Sequence, residues 1–419
     1  MALILFLLFL LASSSTASPP AAAPVEIIRG GYYPSWTNSS FPPSSIPFSF
    51  FTHAFYAFAQ LDPSTYELIV SPTDAALIPT LTAASSYHLP PAKVLLSIGG
   101  ENSNYSAFAA MVSTPSTRSA FIASSIAAAR RLDLDGLNLD WEFPNSISQM
   151  SDLGYLFVEW RRAAEEDAAA YVQPPLLLTA AVYFASNFFL SGKTPPVSYP
   201  IAAMAASLDF VNVMCFDYHG AGWEPSATAA HAALYDERSN LSTSYGLKSW
   251  VAAGMPAEKI VMGIPLYGRT WTLKDPAVNG VGAEAVGPGP GGPDGEMAFS
   301  EVAQLRRGQN STTAYDEVAV AVYTYAGKVW VGYDDEKTVA EKVRFGQRLG
   351  IGGYFFWALG SDDDNSTVSR SGTFRKLLKP AEISDRFCQA ENLKKKIGKS
   401  EDSLIFGPKH TNSKTQPQK

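Results

Sequence analysis

The chain has 419 residues, of which 46% are hydrophobic and only 17% charged, which excludes a disordered polymer and suits one large barrel with an insertion. A formal net charge of −7 at pH 7 argues against a nucleic-acid surface. Five scattered histidines and two cysteines offer no metal-ligand cluster, and neither a metal nor a cofactor is expected.

Taken in chain order, the first feature is targeting. Residues 2–12 form an apolar run followed by small residues, the pattern of a secretory signal peptide, although Lys and Arg are missing from its start. The run is too short to span a membrane, and no later run is long enough. Cleavage after Ala17 places Ser15 and Ala17 at the two selective positions. Residues 1–24 are therefore expected to be signal peptide and short leader. Asn-X-Ser/Thr sequons at Asn38, Asn104, Asn240, Asn310 and Asn365 are consistent with a glycoprotein that is extracellular, or vacuolar by the same route.

From residue 25 strand-like apolar runs alternate with helical stretches. Strands are expected at 30–36, 52–61, 93–100, 135–143, 176–184, 210–218, 260–271 and 353–359. Helices are expected at 117–132, 149–171 and 337–349. In the second of these, Leu153, Leu156, Phe157 and Trp160 recur at helical spacing. Alternating strand and helix implies parallel strands, and eight such units fit a closed (β/α)8 TIM barrel over residues 25–380. The rhythm breaks at 272–336. There a Gly/Pro run, 287–295, precedes two short strand-like pieces, 318–325 and 328–333, read as a small α+β insertion between strand 7 and its helix. Trp330 and Tyr333 there either wall the cleft or fill the insertion's own core. Residues 381–419 are polar and expected to be disordered. Cys215 sits in an apolar run that suits a buried thiol; whether it pairs with Cys388 stays open.

The chemistry is concentrated in the fourth strand candidate. Leu137, Leu139, Trp141 and Phe143 alternate with Asn138, Asp140 and Glu142. A period of two puts the polar set on one face, and clustering carboxylates in that way is costly without a use. The bland alternative is an edge strand with its charged face in water. In barrels of this kind catalytic groups sit at the C-terminal strand ends. Asp140's charge is expected to keep Glu142 protonated near neutral pH, as a general acid requires. Asn138 is expected to donate an amide hydrogen to Asp140.

This segment resembles the Asp-X-X-Asp-X-Asp-X-Glu signature of glycoside hydrolase family 18. Asp135, Asp140 and Glu142 match it, and Asn138 stands where the second aspartate is usual. Ser97, Gly99 and Gly100 are similar to the family's third-strand Ser-X-Gly-Gly motif, and residues 263–269 to its seventh-strand motif. Trp357 matches the tryptophan that floors the sugar site. The order of motifs and the inserted piece resemble plant class V chitinases. The resemblance implies a monomeric, secreted chitinase that cleaves β-1,4-linked N-acetylglucosamine polymers or oligomers by substrate-assisted, retaining catalysis. Glu142 would be acid and then base, and Asp140 would orient the acetamido group. Tyr32, Phe58, Gly99, Gly100, Asn138, Met214, Phe216, Asp217, Tyr218, Tyr267, Arg269 and Trp357 would form the substrate site; for Tyr32, Phe58 and Tyr267 plain packing is the competing reading. Two departures matter. Asn138 cannot ionise, which is expected to alter the pH dependence. Phe216 stands where the family has a tyrosine whose hydroxyl bonds the reacting acetamido oxygen, a loss worth on the order of 10²–10³ in rate. Tyr218, two residues on, is the candidate to replace that hydroxyl. The other reading is a catalytically weak or inactive chitin-oligosaccharide lectin on the same barrel.

Overall fold

The structure is a computed structural model and describes residues 27–188, 196–292 and 294–372. The expected leader, the polar tail and Cys388 lie outside the described residues, while Cys215 is a buried free thiol.

Eight parallel strands close on themselves. They are β1 (Ile28–Pro34), β2 (His53–Leu61), β3 (Lys93–Gly99), β4 (Gly136–Asp140), β5 (Leu177–Val182), β6 (Phe210–Val213), β7 (Ile260–Pro265) and β8 (Gly353–Trp357). Each pairs with its sequence neighbours, and β1 pairs with both β2 and β8. This is a (β/α)8 barrel with both faces of its strands buried; β7 accordingly reads as a near-continuous apolar run, whereas β4 alternates because Asn138 and Asp140 face the barrel interior.

The helices pack outside. The helix Ile147–Tyr171 starts where Ser146 accepts a hydrogen bond from the Gln149 backbone, two residues earlier than periodicity suggests. It buries Leu153, Leu156, Phe157 and Trp160, and the Trp160 indole donates to Ser125 at 3.1 Å. The helix Glu336–Leu349 is capped by Asp335 and ends at Gly350 in the left-handed region.

Three strand ends differ most from the sequence reading. β6 stops at Val213, five residues short of its expected end, so residues 214–218 lie in the loop that follows it. β4 stops at Asp140, whose pairing with Gly99 and Ala181 is the last in its ladders, so Trp141 and Glu142 lie beyond the sheet. The run 260–271 is two strands. The chain leaves the barrel at Leu266, whose N–H donates to the Trp357 carbonyl at 2.7 Å. Tyr267–Leu273 then enters a second, antiparallel sheet with Ala285–Pro288, Glu296–Ala298 and Val329–Tyr333. Both pieces are buried, so hydrophobicity does not register the change of sheet. Trp271 and Trp330, with ring centroids 5.4 Å apart, form the core of the second sheet. Trp330 is fully buried there, and the Tyr333 hydroxyl bonds Thr324; neither walls the cleft.

Candidate active site

A cleft of about 730 Å³ opens at the C-terminal ends of the barrel strands. Its base is a layer of polar side chains. Ser97, Asn138 and Thr179 are register partners on β3, β4 and β5, so all three point into the barrel at one height. The Asn138 amide donates to Ser97 at 2.8 Å and to the Tyr32 hydroxyl at 3.1 Å, and its carbonyl accepts from Thr179 at 2.8 Å. Asn212 donates to the same Tyr32 oxygen at 2.9 Å. The expected bond from Asn138 to Asp140 is therefore replaced by bonds across the barrel. Two residues along a strand span about 6.6 Å, whereas adjacent strands are about 4.8 Å apart, so lateral partners win.

One layer higher, Asp140 is 3% exposed, and its Oδ1 has no hydrogen-bond partner among the described residues. Burial pushes its carboxyl up. Glu142 lines the cleft and its carboxyl is pushed up as well, first by burial and then by the charges of Asp140, Glu101 and Asp217. The direction matches the sequence reading, but burial outweighs Asp140 as the cause. Both carboxyls are thus held towards their protonated forms, and they titrate as a pair. Between them Trp141 points outward and stacks on Phe108, which anchors the segment.

Gly99 and Gly100 both lie at positive φ. A Cβ on Gly100 would come within 2.6 Å of the Phe58 ring, so glycine lets the loop after β3 approach the aromatic floor. In that floor, Trp357 stacks on Phe58 at 5.8 Å and meets Tyr32 edge-on at 5.5 Å. Trp36 continues the row from Phe58 towards solvent and is 64% exposed.

The opposite wall follows β6. Met214 and Phe216 face the cleft. Asp217 adopts φ 56°, a left-handed conformation that breaks the strand alternation. Tyr218 also lines the cleft, with its hydroxyl turned towards Thr243. That hydroxyl is buried 3.1 Å from Thr243 Oγ1, which gives it a protein partner in place of a free position above Phe216. Asp217 is held by Arg269 through two bonds, 2.7 and 2.8 Å, and by the Tyr267 hydroxyl at 2.7 Å. Burial alone would raise its carboxyl, but His231 and Arg269 outweigh this and hold it well below the usual carboxylate range. Tyr267 thus stands behind Asp217, whereas Arg269 reaches the cleft wall.

Sequence reasoning missed Trp36, Trp223, Tyr183, Asp294 and Glu296, all of which line the cleft. Trp223 is 48% exposed and lies over the Arg269 guanidinium at 5.2 Å. Trp36 and Trp223 stand in loops rich in Ser, Thr, Gly and Pro, and a large aromatic in such a loop is itself a signal. Glu296 comes from the second sheet and Asp294 from the turn before its strand, and neither carried a local pattern. Among the described residues no His, Cys, Asp and Glu cluster is arranged to hold a metal.

The model of the glycosyl hydrolases family 18 matches residues 29–362. Among curated proteins, the chain is 47% identical to Nod factor hydrolase protein 1 of Medicago truncatula, over 79% of this chain and 86% of that one. It is 45% identical to class V chitinase CHIT5a of the same species, over 80% and 86%. Among solved structures, a GH18 chitinase from Cycas revoluta in complex with (GlcNAc)3 superposes with a TM-score of 0.77 at 41% identity, covering 82% of this chain and 98% of that one. A chitinase-like agglutinin from Robinia pseudoacacia superposes with a TM-score of 0.74 at 35% identity over the same shares.

Proposed function

The chain belongs to glycosyl hydrolase family 18, and we propose that it is a chitinase that hydrolyses β-1,4-linked N-acetylglucosamine chains with retention of configuration. The observation that carries this reading is the placement of the Glu142 and Asp140 carboxyls together in the cleft at the end of β4.

The chemistry follows from those two groups. Glu142 gives its proton to the glycosidic oxygen as the bond to the anomeric carbon breaks. The substrate's own acetamido oxygen forms the new bond to that carbon, giving an oxazolinium ion. Asp140, with an unspent oxygen, accepts the acetamido N–H and balances the positive charge. Glu142, now a carboxylate, takes a proton from water as that water attacks the anomeric carbon and reopens the ring. The burial that raises Glu142 suits it to both halves of the cycle. Trp357 and Phe58 offer apolar ring faces to a pyranose. The Cycas chitinase with a bound trimer supports chitin oligosaccharides as ligands.

A second reading is favoured by one observation. Phe216 brings no hydroxyl to the cleft, and the Tyr218 hydroxyl is occupied by Thr243. On that reading the protein binds chitin oligosaccharides without appreciable turnover, as a lectin. Incubation with N-acetylglucosamine hexamer separates the two. Shorter products are expected from the parent chain, and intact hexamer with measurable binding would establish the lectin.

We place the protein on the secretory route, outside the cell or in the vacuole. All five sequon asparagines are exposed, as attachment of a glycan requires. The expected signal peptide lies outside the described residues.

A further inference from the structure

His231 is 1% exposed, and among the described residues its ring nitrogens have no polar partner within 3.5 Å, only a longer approach to Asp217. A buried imidazole with one long polar contact has lost most of its water without full replacement, which is costly unless the ring has a task. Its Nδ1 lies 3.6 Å from Asp217 Oδ1, just beyond hydrogen-bond range, and its ring packs on Tyr267 at 5.2 Å. The same Asp217 oxygen accepts from Arg269 Nε at 2.7 Å.

The placement of the ring is enforced from several sides. The Tyr218 N–H donates to the His231 carbonyl at 2.9 Å, which joins this loop to the turn that carries Asp217. Thr243 and Ser244 donate to the carbonyls of Ala233 and Leu234. The fully buried Lys342 ammonium binds both the Ala232 carbonyl and Asp334. A loop held by three backbone bonds and a buried ion pair keeps the imidazole against Asp217 and leaves it little freedom to turn away.

We propose that His231 is a pH-responsive positioning residue, which acts through Asp217 to weaken sugar binding in the cleft when it takes up a proton. This rests on the reading of the cleft as an oligosaccharide site. The charged and titratable groups around the ring are Asp217, Arg269, Tyr267, Asp334 and Lys342. Burial lowers the imidazole's affinity for protons, while Asp217 and Asp334 partly restore it. The ring is therefore neutral at neutral pH and takes its proton only below the ordinary histidine range. The imidazolium then becomes a second cation on Asp217. It draws on the carboxylate that Arg269 and Tyr267 already share, so fewer lone pairs face the cleft. By linkage, a sugar that uses Asp217 must disfavour protonation of His231 by the same factor.

Two measurements on the full chain test this. In the Glu142→Gln variant, which holds hexamer without turnover, the ring nitrogens of labelled histidine are followed by NMR as pH falls, with His231→Gln supplying the assignment. Hexamer is expected to move the His231 titration to lower pH, and Asp217→Asn to move it lower still in the free protein. By calorimetry, the dissociation constant for hexamer is expected to rise about threefold or more as His231 protonates, and His231→Gln is expected to remove that rise. A titration that ignores hexamer, or a rise that persists in His231→Gln, overturns the proposal. These readings need no hydrolysis, so they stand whether the protein proves to be an enzyme or a lectin. Failure of hexamer to bind at all would instead sink the oligosaccharide reading and the proposal with it.

Discussion

Phe216 meets Tyr267 and Phe355 edge-on at 6.2 Å each and presents a bare ring to the cleft. Phe216→Tyr would add a hydroxyl where the acetamido oxygen becomes a nucleophile. That hydroxyl matters most as charge develops, so kcat is expected to rise more than KM changes, up to the order of 10²-fold. A neutral or harmful effect in steady-state assays would mean that another group already serves. Asn138→Asp acts differently, because its partners are Tyr32, Ser97 and Thr179 rather than Asp140. An aspartate there loses two donated bonds and gains an ionisable group one layer below Asp140, so the pH profile of kcat is expected to shift. An unshifted profile would leave the buried polar layer without influence on the pair. Glu142→Gln should abolish hydrolysis of hexamer and preserve its binding; residual turnover near the parent rate would end the assignment of the acid. Trp357→Ala should weaken hexamer binding by about 1–3 kcal/mol, the loss of one large aromatic contact.

The second sheet reaches the cleft through two adjacent strands, Tyr267–Leu273 and Glu296–Ala298. Tyr267–Leu273 leaves the barrel at Leu266 and carries Tyr267 and Arg269 to Asp217 before Trp271 enters the small core. Glu296, on the neighbouring strand, lies 3.7 Å from the Arg269 guanidinium. The cleft wall is thus as firm as the packing of Trp271 against Trp330. Trp271→Ala is expected to cost about 3–5 kcal/mol in urea unfolding, as a buried tryptophan truncation does. The same variant should raise KM, because Arg269 sits two residues away. A loss well under 1 kcal/mol would show that the sheet closes over the gap and that the wall is held from elsewhere.

For the whole molecule the buried carboxyls set opposing pH dependences. Asp140 and Glu142 bind protons more tightly folded than unfolded. Their contribution is fully present below the unfolded value near about 4 and is lost as pH rises through the raised folded values. Asp217 is depressed, so its contribution is present above the unfolded value and is lost as pH falls through the folded one. Glu142→Gln removes one group of the first kind. Its melting temperature is therefore expected to gain on the parent's as pH rises from about 5 to about 9, by on the order of 2 °C or more. A difference that stays constant across that range would mean that Glu142 ionises without penalty, and the acid role would lose its physical basis.

The strand–helix alternation, the apolar runs and the spacing of Asn138, Asp140 and Glu142 are local patterns, and through them sequence by itself determined the barrel and the carboxyl pair. Periodicity reports which side of a strand a residue occupies, and that places Asn138 and Asp140 inside the barrel; Glu142 follows just beyond the strand end and lines the same cleft. Periodicity does not report which strand lies alongside. Hence the partners of Asn138 on β1, β3 and β5 appeared only when the barrel closed. Buried runs also look alike in any sheet, so the break at Leu266 was invisible until Tyr267–Leu273 found antiparallel partners. The left-handed turn at Asp217 brings its carboxylate to Arg269, Tyr267 and His231, from 14 to 52 residues away. Contacts between residues so far apart in the chain have no local signature, and only the tertiary structure decided them.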